Sequence, residues 1–351
     1  MRYRAGVIGC GRKGLTIDDE HKCPVNYCHG LAAHVPALAA MPGVELTAVA
    51  DTDPGRLQLA AERHPGVRTY PSYDAMLAAE QLDLVTVATQ TPDHAAATIA
   101  AARAGVRAII CEKALATSMG EAAQMLDSCA VAGTVLVVNH PRRYHPTYLA
   151  ARQALAEGTI GDLQAMIGMV ANGIVHNGSH FFDLFRLYAG DAIQVRGVVR
   201  GGGDQDTAGV VLVDFPGGVL GTLDAQSRTD ISLTLVGTRG RILIDAALPG
   251  YEVTEYVTGG SETVAPEWFM GSQCKTRRVE TVYVPADDEG TTVALYRDAI
   301  RALEEGSTPR SSGQDAARAL EMALAAFASH RAGGAPVSLP LADLELRIPS
   351  R

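Results

Sequence analysis

The opening of this chain constrains its fold more than any other stretch. Ala5–Cys10 is an apolar run of strand length, and Gly9-Cys10-Gly11-Arg12-Lys13-Gly14 overlaps its end. A second run, Glu45–Ala50, ends in Asp51. In a βαβ unit that binds a dinucleotide, Gly9 allows the tight turn and Gly11 lets backbone N–H groups reach a pyrophosphate. Gly14 lets helix and strand pack closely, and the acid at the end of the second strand accepts ribose hydroxyls. A glycine-rich turn alone is a weak signal. Flanked by two strands and followed by Asp51, it predicts a dinucleotide site.

Composition narrows the class. At 351 residues two domains are expected, and 47% apolar with 20% charged residues describes a folded chain. A formal charge of −9 argues against nucleic acid or anionic membrane partners. No apolar run approaches the ~20 residues of a membrane helix. The cysteines at 10, 23, 28, 111, 129 and 274 form no disulfide pattern, so a reduced, cytoplasmic setting is expected.

Through the first 139 residues strands and helices alternate. Further parallel strands are predicted at Leu82–Ala88, Val106–Cys111 and Thr134–Asn139, with helices at about Leu31–Met41, Pro54–His64, Ala95–Ala104 and Ser118–Ala132. Open α/β sheets bind ligands beyond the carboxyl ends of their strands. The turns after residues 8, 50, 88 and 111 therefore face one crevice. From residue 140 the pattern changes to a helix, Pro146–Ala156, and strands at Leu163–Val170, Ala192–Arg200, Ala208–Phe215, Val219–Gln226, Ser232–Val236, Arg241–Asp245 and Arg278–Val284. Hairpin turns at Phe215–Val219 and Val236–Gly240 imply antiparallel neighbours. The expectation is a Rossmann domain, 1–139, followed by an α+β domain, 140–351, built on a large, mostly antiparallel sheet.

Taken together these segments resemble the Gfo/Idh/MocA family of NAD(P)-dependent sugar and cyclitol oxidoreductases. The resemblance rests on the opening through Asp51, on Val87-Ala-Thr-Gln-Thr-Pro-Asp-His94 and on Ala104-Gly-Val-Arg-Ala-Ile-Ile-Cys-Glu-Lys113. It continues in Arg142-Arg-Tyr-His-Pro146, Gly178-Ser-His-Phe-Phe-Asp183 and the C-terminal helices around Asp298 and Glu321. It implies hydride transfer between a secondary alcohol of a sugar, amino sugar, sugar nucleotide or cyclitol and nicotinamide. The alternatives are an NAD-dependent glycoside hydrolase of the same family and a non-enzymatic dinucleotide sensor.

The resemblance also implies roles. Lys113, at the end of its strand, bonds the reacting hydroxyl. His180, in the first turn of a helix with a buried stripe of Phe181, Leu184, Phe185 and Tyr188, is a proton acceptor kept neutral by the helix dipole. Asp183 shares its face and could orient the ring. Cofactor-side positions are Gly9, Gly11, Arg12, Lys13, Gly14, Asp51, Arg56, Thr89, Thr91, Pro92, His94 and Glu112. Arg143, Tyr144, Asn177 and Asp183 are substrate-side. Asp51 favours NAD over NADP, with Arg56 softening the preference.

Two departures stand out. Four residues before His180 the family pattern has an aspartate, where this chain has His176. Without that anion Lys113 itself becomes the more plausible base. Ala114 stands where the pattern has proline, so a trans Lys113–Ala114 bond is expected. The segment Leu15–Gly30 reads as a lid over cofactor or substrate. His21, Cys23, Cys28 and His29 fit no usual zinc spacing, and no metal is expected. The broad sheet invites pairing with another copy, as a homodimer or homotetramer.

Overall fold

The computed structural model describes residues 2–20, 30–201, 203–226, 230–246, 249–258, 275–285 and 289–350. The first half contains six parallel strands: β1 (Tyr3–Ile8), β2 (Val44–Ala50), β3 (Arg68–Tyr70), β4 (Leu84–Val87), β5 (Ala108–Cys111) and β6 (Val135–Val138). Their order is β3-β2-β1-β4-β5-β6, so the chain reverses direction across the sheet beside β1. The connecting helices are α1 (His34–Ala40), α2 (Pro54–Arg63), α3 (Tyr73–Ala79), α4 (Thr91–Arg103) and α5 (Met119–Ala132). Local chemistry sets several of their ends. Asp53 and Ser72 cap α2 and α3, while Ser118 caps α5 and Gly133 closes it in the left-handed region.

The glycine turn has little steric latitude. Gly9 adopts φ +96°, and a Cβ on Gly14 would lie 1.9 Å from the Gly9 carbonyl oxygen. Only glycine lets the turn that begins at Arg12 close so tightly onto the end of β1. The sequence pattern missed β3 and α3. β3 is a three-residue edge strand, Arg-Thr-Tyr, that buries no side chain fully and so carries no apolar run.

The second half contains α6 (Pro146–Ala156), α7 (Gly178–Ala189), α8 (Thr291–Glu305) and α9 (Gly313–Arg331). Its strands are β7 (Leu163–Met169), β8 (Gln194–Val199), β9 (Gly209–Asp214), β10 (Leu220–Asp224), β11 (Ser232–Gly237), β12 (Gly240–Asp245), β13 (Gly250–Thr258), β14 (Lys275–Tyr283) and β15 (Val337–Ser338). They form one nine-stranded sheet, β14-β13-β12-β11-β7-β10-β9-β8-β15. Only β7 and β10 pair in parallel. The sequence reading missed β13, whose Glu252 and Glu255 interrupt its apolar pattern, and the two-residue β15.

α7 and α9 cover one face of this sheet, with Phe181, Phe182, Phe185 and Phe327 fully buried. A Cβ on Gly197 would lie 2.3 Å from the Ala326 carbonyl oxygen, so α9 rests almost directly on β8. The opposite face carries Ile167, Val198, Leu212 and Leu220, all exposed. α8 departs from this layout. It returns to the first sheet, where Val293, Leu295, Tyr296 and Ala299 pack with Val7, Ile110 and Val137.

Candidate active site

One cavity of about 740 Å³ follows the carboxyl ends of the parallel strands. Gly9, Gly11, Asp51 and Arg56 line one end of it, and Lys113, Asn139, His176 and His180 the other. Asp51 is buried at the tip of β2. Its carboxylate accepts the N–H groups of Cys10 (2.7 Å) and Asp53 (2.9 Å), and Arg56 lies 3.7 Å away. A Cβ on Gly11 would meet nothing nearer than Arg56 Nη1 at 3.6 Å, so the backbone there is open to the cavity. A bare turn, an acid on the second strand and a long crevice suit a dinucleotide. Arg12, Lys13, Thr89 and Thr91 also line the cavity.

At the other end Lys113 emerges from β5 and donates from Nζ to the His176 carbonyl at 2.8 Å, with His176 Nδ1 at 3.3 Å. Burial pulls the Lys113 ammonium down to about 8; Arg142 and Lys13 act in the same direction, and Glu112 and Asp206 oppose them. His180 stands in the first turn of α7. Burial, aided by the charges of Arg142 and Lys113, holds its ring well below the ordinary histidine range. The ring is therefore neutral, as expected, but desolvation and neighbouring cations are the causes that dominate. His180 is also more enclosed than its place off the Phe181 stripe suggests, because Gly178–Phe185 is buried on every side. Its Nδ1 is buried without a hydrogen-bond partner among the described residues, and its ring meets that of His140 edge to face at 5.8 Å.

Beneath Lys113 lies a buried polar chain. Glu112 Oε1 accepts from Asn139 Nδ2 at 2.6 Å and is bonded to His34 Nε2 at 2.9 Å. His34 Nδ1 reaches the Tyr296 hydroxyl at 2.8 Å, which bonds Thr86 Oγ1 at 2.6 Å. Burial alone would push the Glu112 carboxyl up; His34, Lys13 and Asn139 hold it well below the usual carboxylate range. Glu112 lines the cavity, as a cofactor-side residue would, and its protein partners also suit the structural role open to it, fixing the strand end that carries Lys113.

Several expected substrate-side residues do not reach the cavity. Asp183 is fully buried, and both its oxygens accept from Arg143 Nε at 2.8 Å. It does not orient His180, because a buried carboxylate is held by the nearest guanidinium. Arg143 also donates to the Arg310 carbonyl, and the Tyr144 hydroxyl donates to Asp298 at 3.0 Å. These contacts hold the segment after β6 against α7, α8 and the connection from α8 to α9, all within the second half of the chain. Of that group only Asn177 lines the cavity. His94 is buried between the Ala114 and Thr89 carbonyls, 2.9 and 3.2 Å from its two ring nitrogens, one of which donates, so it braces two turns that border the crevice, and Pro92 lines a separate surface depression.

The Lys113–Ala114 peptide is cis, which corrects the trans expectation. In this arrangement the Ala114 carbonyl faces His94 Nδ1 at 2.9 Å, and Ala114 and Leu115 are buried. Among the described residues no group of three or more potential ligands could hold a metal ion. His21, Cys23, Cys28 and His29, and with them most of the expected lid, lie outside the described residues.

Sequence reasoning missed His34, Thr86, Asn139, His140, Asp206 and Tyr296. Asn139 was within reach, since it ends a parallel strand facing the crevice. His34 and Tyr296 carry no local signal, because the pair meets across more than half the chain.

Comparison with known proteins agrees with this geometry. Residues 3–140 match the model of an oxidoreductase family with an NAD-binding Rossmann fold, and residues 172–339 match the C-terminal α/β domain of the same family. The chain belongs to the Gfo/Idh/MocA oxidoreductase family. Among characterised relatives, D-apiose dehydrogenase of Paraburkholderia graminis is 28% identical over 99% of this chain and 92% of its own length. Inositol 2-dehydrogenase of Rhizobium meliloti is 26% identical over 94% and 97%. A solved levoglucosan dehydrogenase in complex with NADH and levoglucosan shares the fold, with TM-score 0.78 and 19% identity, covering 97% of this chain and all 100% of that one. As a Gfo/Idh/MocA protein the chain is an oxidoreductase acting on CH–OH groups. No helix among its described residues is long and apolar enough to cross a membrane.

Proposed function

We propose that this protein is an NAD-dependent dehydrogenase of a sugar or cyclitol, with a secondary alcohol as the reacting group and Lys113 and His180 as the catalytic residues. The observation that carries the reading is the convergence of Lys113 and His180 in the cavity whose far end is formed by Gly9, Gly11 and Asp51. When bound, a nicotinamide dinucleotide supplies the two-electron oxidant for the alcohol carbon. Gly9 and Gly11 would hold its pyrophosphate, and Asp51 its adenosine ribose. Lys113, its ammonium already pulled down to about 8, takes or shares the hydroxyl proton. His180 lines the same cavity and burial favours its neutral form, so its ring can accept a bond from the same or a neighbouring hydroxyl. Asn177 lines the same cavity, which supports a bond from it to a further hydroxyl of the substrate.

The buried carboxylate of Asp51 supports NAD over NADP, because a 2′-phosphate would be brought against it. The relatives described above are all named as dehydrogenases. The free, buried thiols of Cys10, Cys111 and Cys129 suit a reducing cytoplasm. The outer face of the nine-stranded sheet, with Ile167, Leu212 and Leu220 exposed, supports a homodimer or homotetramer formed through that face. The test is a panel of aldoses, cyclitols and sugar nucleotides offered with NAD, reading the absorbance of reduced nicotinamide. Reduction with one class, lost in Lys113→Ala, is the expected result. A protein that binds NADH yet reduces NAD with no member of the panel would overturn the assignment.

A further inference from the structure

Asp206 belongs to the connection between β8 and β9, a stretch that carries no motif. Its carboxylate nevertheless reaches the helical turn Gly173–Asn177 immediately before α7. Oδ1 accepts the Val175 N–H at 2.8 Å and Oδ2 accepts the His176 N–H at 2.7 Å. The fit leaves no room for a side chain opposite. Gly173 has φ +95°, and a Cβ there would lie 2.6 Å from Oδ2. The residue whose N–H is gripped in this way is the one whose carbonyl receives Lys113 Nζ at 2.8 Å.

We propose that Asp206 is a positioning residue for Lys113, clamping the Gly173–Asn177 turn so that the His176 carbonyl points at Nζ. In doing so it sets a carboxylate behind a turn whose own residue 176 is an imidazole. The inference rests on the reading of Lys113 as the alcohol-side group and adds a residue that the family pattern does not mark. Two anions act on Lys113: Glu112 from its own strand end and Asp206 from the β8–β9 connection. Against them stand Lys13 in the glycine turn and Arg142 after β6. The rings of His140, His176 and His180 complete the surroundings. Burial raises the Asp206 carboxyl above its ordinary range, and the Val175 and His176 N–H groups pull against that shift. Losing Asp206 removes an anion and frees the carbonyl that steadies the ammonium. Both changes favour neutral Lys113.

Competitive labelling with acetic anhydride across pH, read on the Lys113 peptide by mass spectrometry, measures this without substrate or cofactor. In Asp206→Asn the labelling midpoint of Lys113 should fall by about one pH unit. NADH affinity, read by cofactor fluorescence, should stay within about two-fold because Asp206 is not among the residues that line the cavity. Should Asp206→Asn not fold, Asp206→Ser keeps one acceptor oxygen in less volume and gives the same readout. A midpoint equal to that of the wild type in the folded variant overturns the proposal, whatever happens to thermal stability. Absence of NADH binding by the wild type would instead count against the dehydrogenase reading, and the labelling result would still decide the role of Asp206.

Discussion

The two ends of the crevice are built in different ways. The end at Gly9, Gly11, Asp51 and Arg56 comes from fewer than fifty consecutive residues, held by the β1–β2 ladder and by backbone N–H groups on the Asp51 carboxylate, all within one βαβ unit. The end at Lys113 draws on the termini of β5 and β6, on the turn before α7, on α1 and on α8. The first is a local solution that a short pattern can specify. The second exists only after the whole chain has folded, and its electrostatics come from desolvation and from charges far apart in sequence. Cofactor affinity should therefore tolerate damage at the alcohol end, whereas turnover should not.

The largest expected effect tests that separation directly. Lys113→Ala should lower turnover by about a thousand-fold or more while NADH affinity changes by no more than about two-fold, as steady-state kinetics and a binding titration would report. Comparable losses in both would mean that the two ends are one unit.

Next in size is His34→Ala. It leaves the buried Glu112 carboxylate without its imidazole partner, and the unfolding free energy should fall by about 3 kcal/mol in a denaturant titration. A loss under about 0.5 kcal/mol would show that Asn139 and Lys13 suffice to hold Glu112.

At the local end, Asp51→Ala should erode the preference for NAD over NADP by about ten-fold, or about 1.4 kcal/mol, in the ratio of their kcat/KM values. An unchanged ratio would assign the selectivity to Arg56 or to other groups at that end.

The smallest effect concerns pH. With Lys113 as base, kcat/KM for alcohol oxidation should rise with pH through about 8 as the ammonium loses its proton. His176→Asp adds an anion beside that ammonium and favours its charged form, so the rising limb should move up by about one pH unit. Repeating the comparison in His180→Gln separates the two candidate bases, because a limb that belongs to His180 would vanish there. A profile unmoved in both backgrounds would show that residue 176 acts through shape alone.

The same contrast explains what could be read from the sequence. The glycine turn and Asp51 stand at strand ends, where periodicity and strand-end topology locate them, whereas Lys113 and His180 were singled out by the family resemblance. Most strands and helices were likewise legible as apolar runs. β3 and β15 were too short, and the glutamates of β13 broke its pattern. Arg143, Tyr144 and Asp183 lie within motifs next to the site, and nothing local reveals that they turn inward to Asp298, to Arg310 and to one another. His34, Asp206 and Tyr296 were invisible for the same reason: each matters through a partner that only the folded chain supplies.

The return of α8 to the first sheet bears on how such proteins can be recombined. A cut after β6 looks like a natural seam, yet it would strip Val7, Ile110 and Val137 of their cover and take Tyr296 away from His34. A chimera that gives this nucleotide-binding half a foreign substrate half must therefore keep α8 from the original chain, or import a helix that presents a hydroxyl at the same point. The transferable module is a discontinuous one, two stretches of chain that have to be exchanged together.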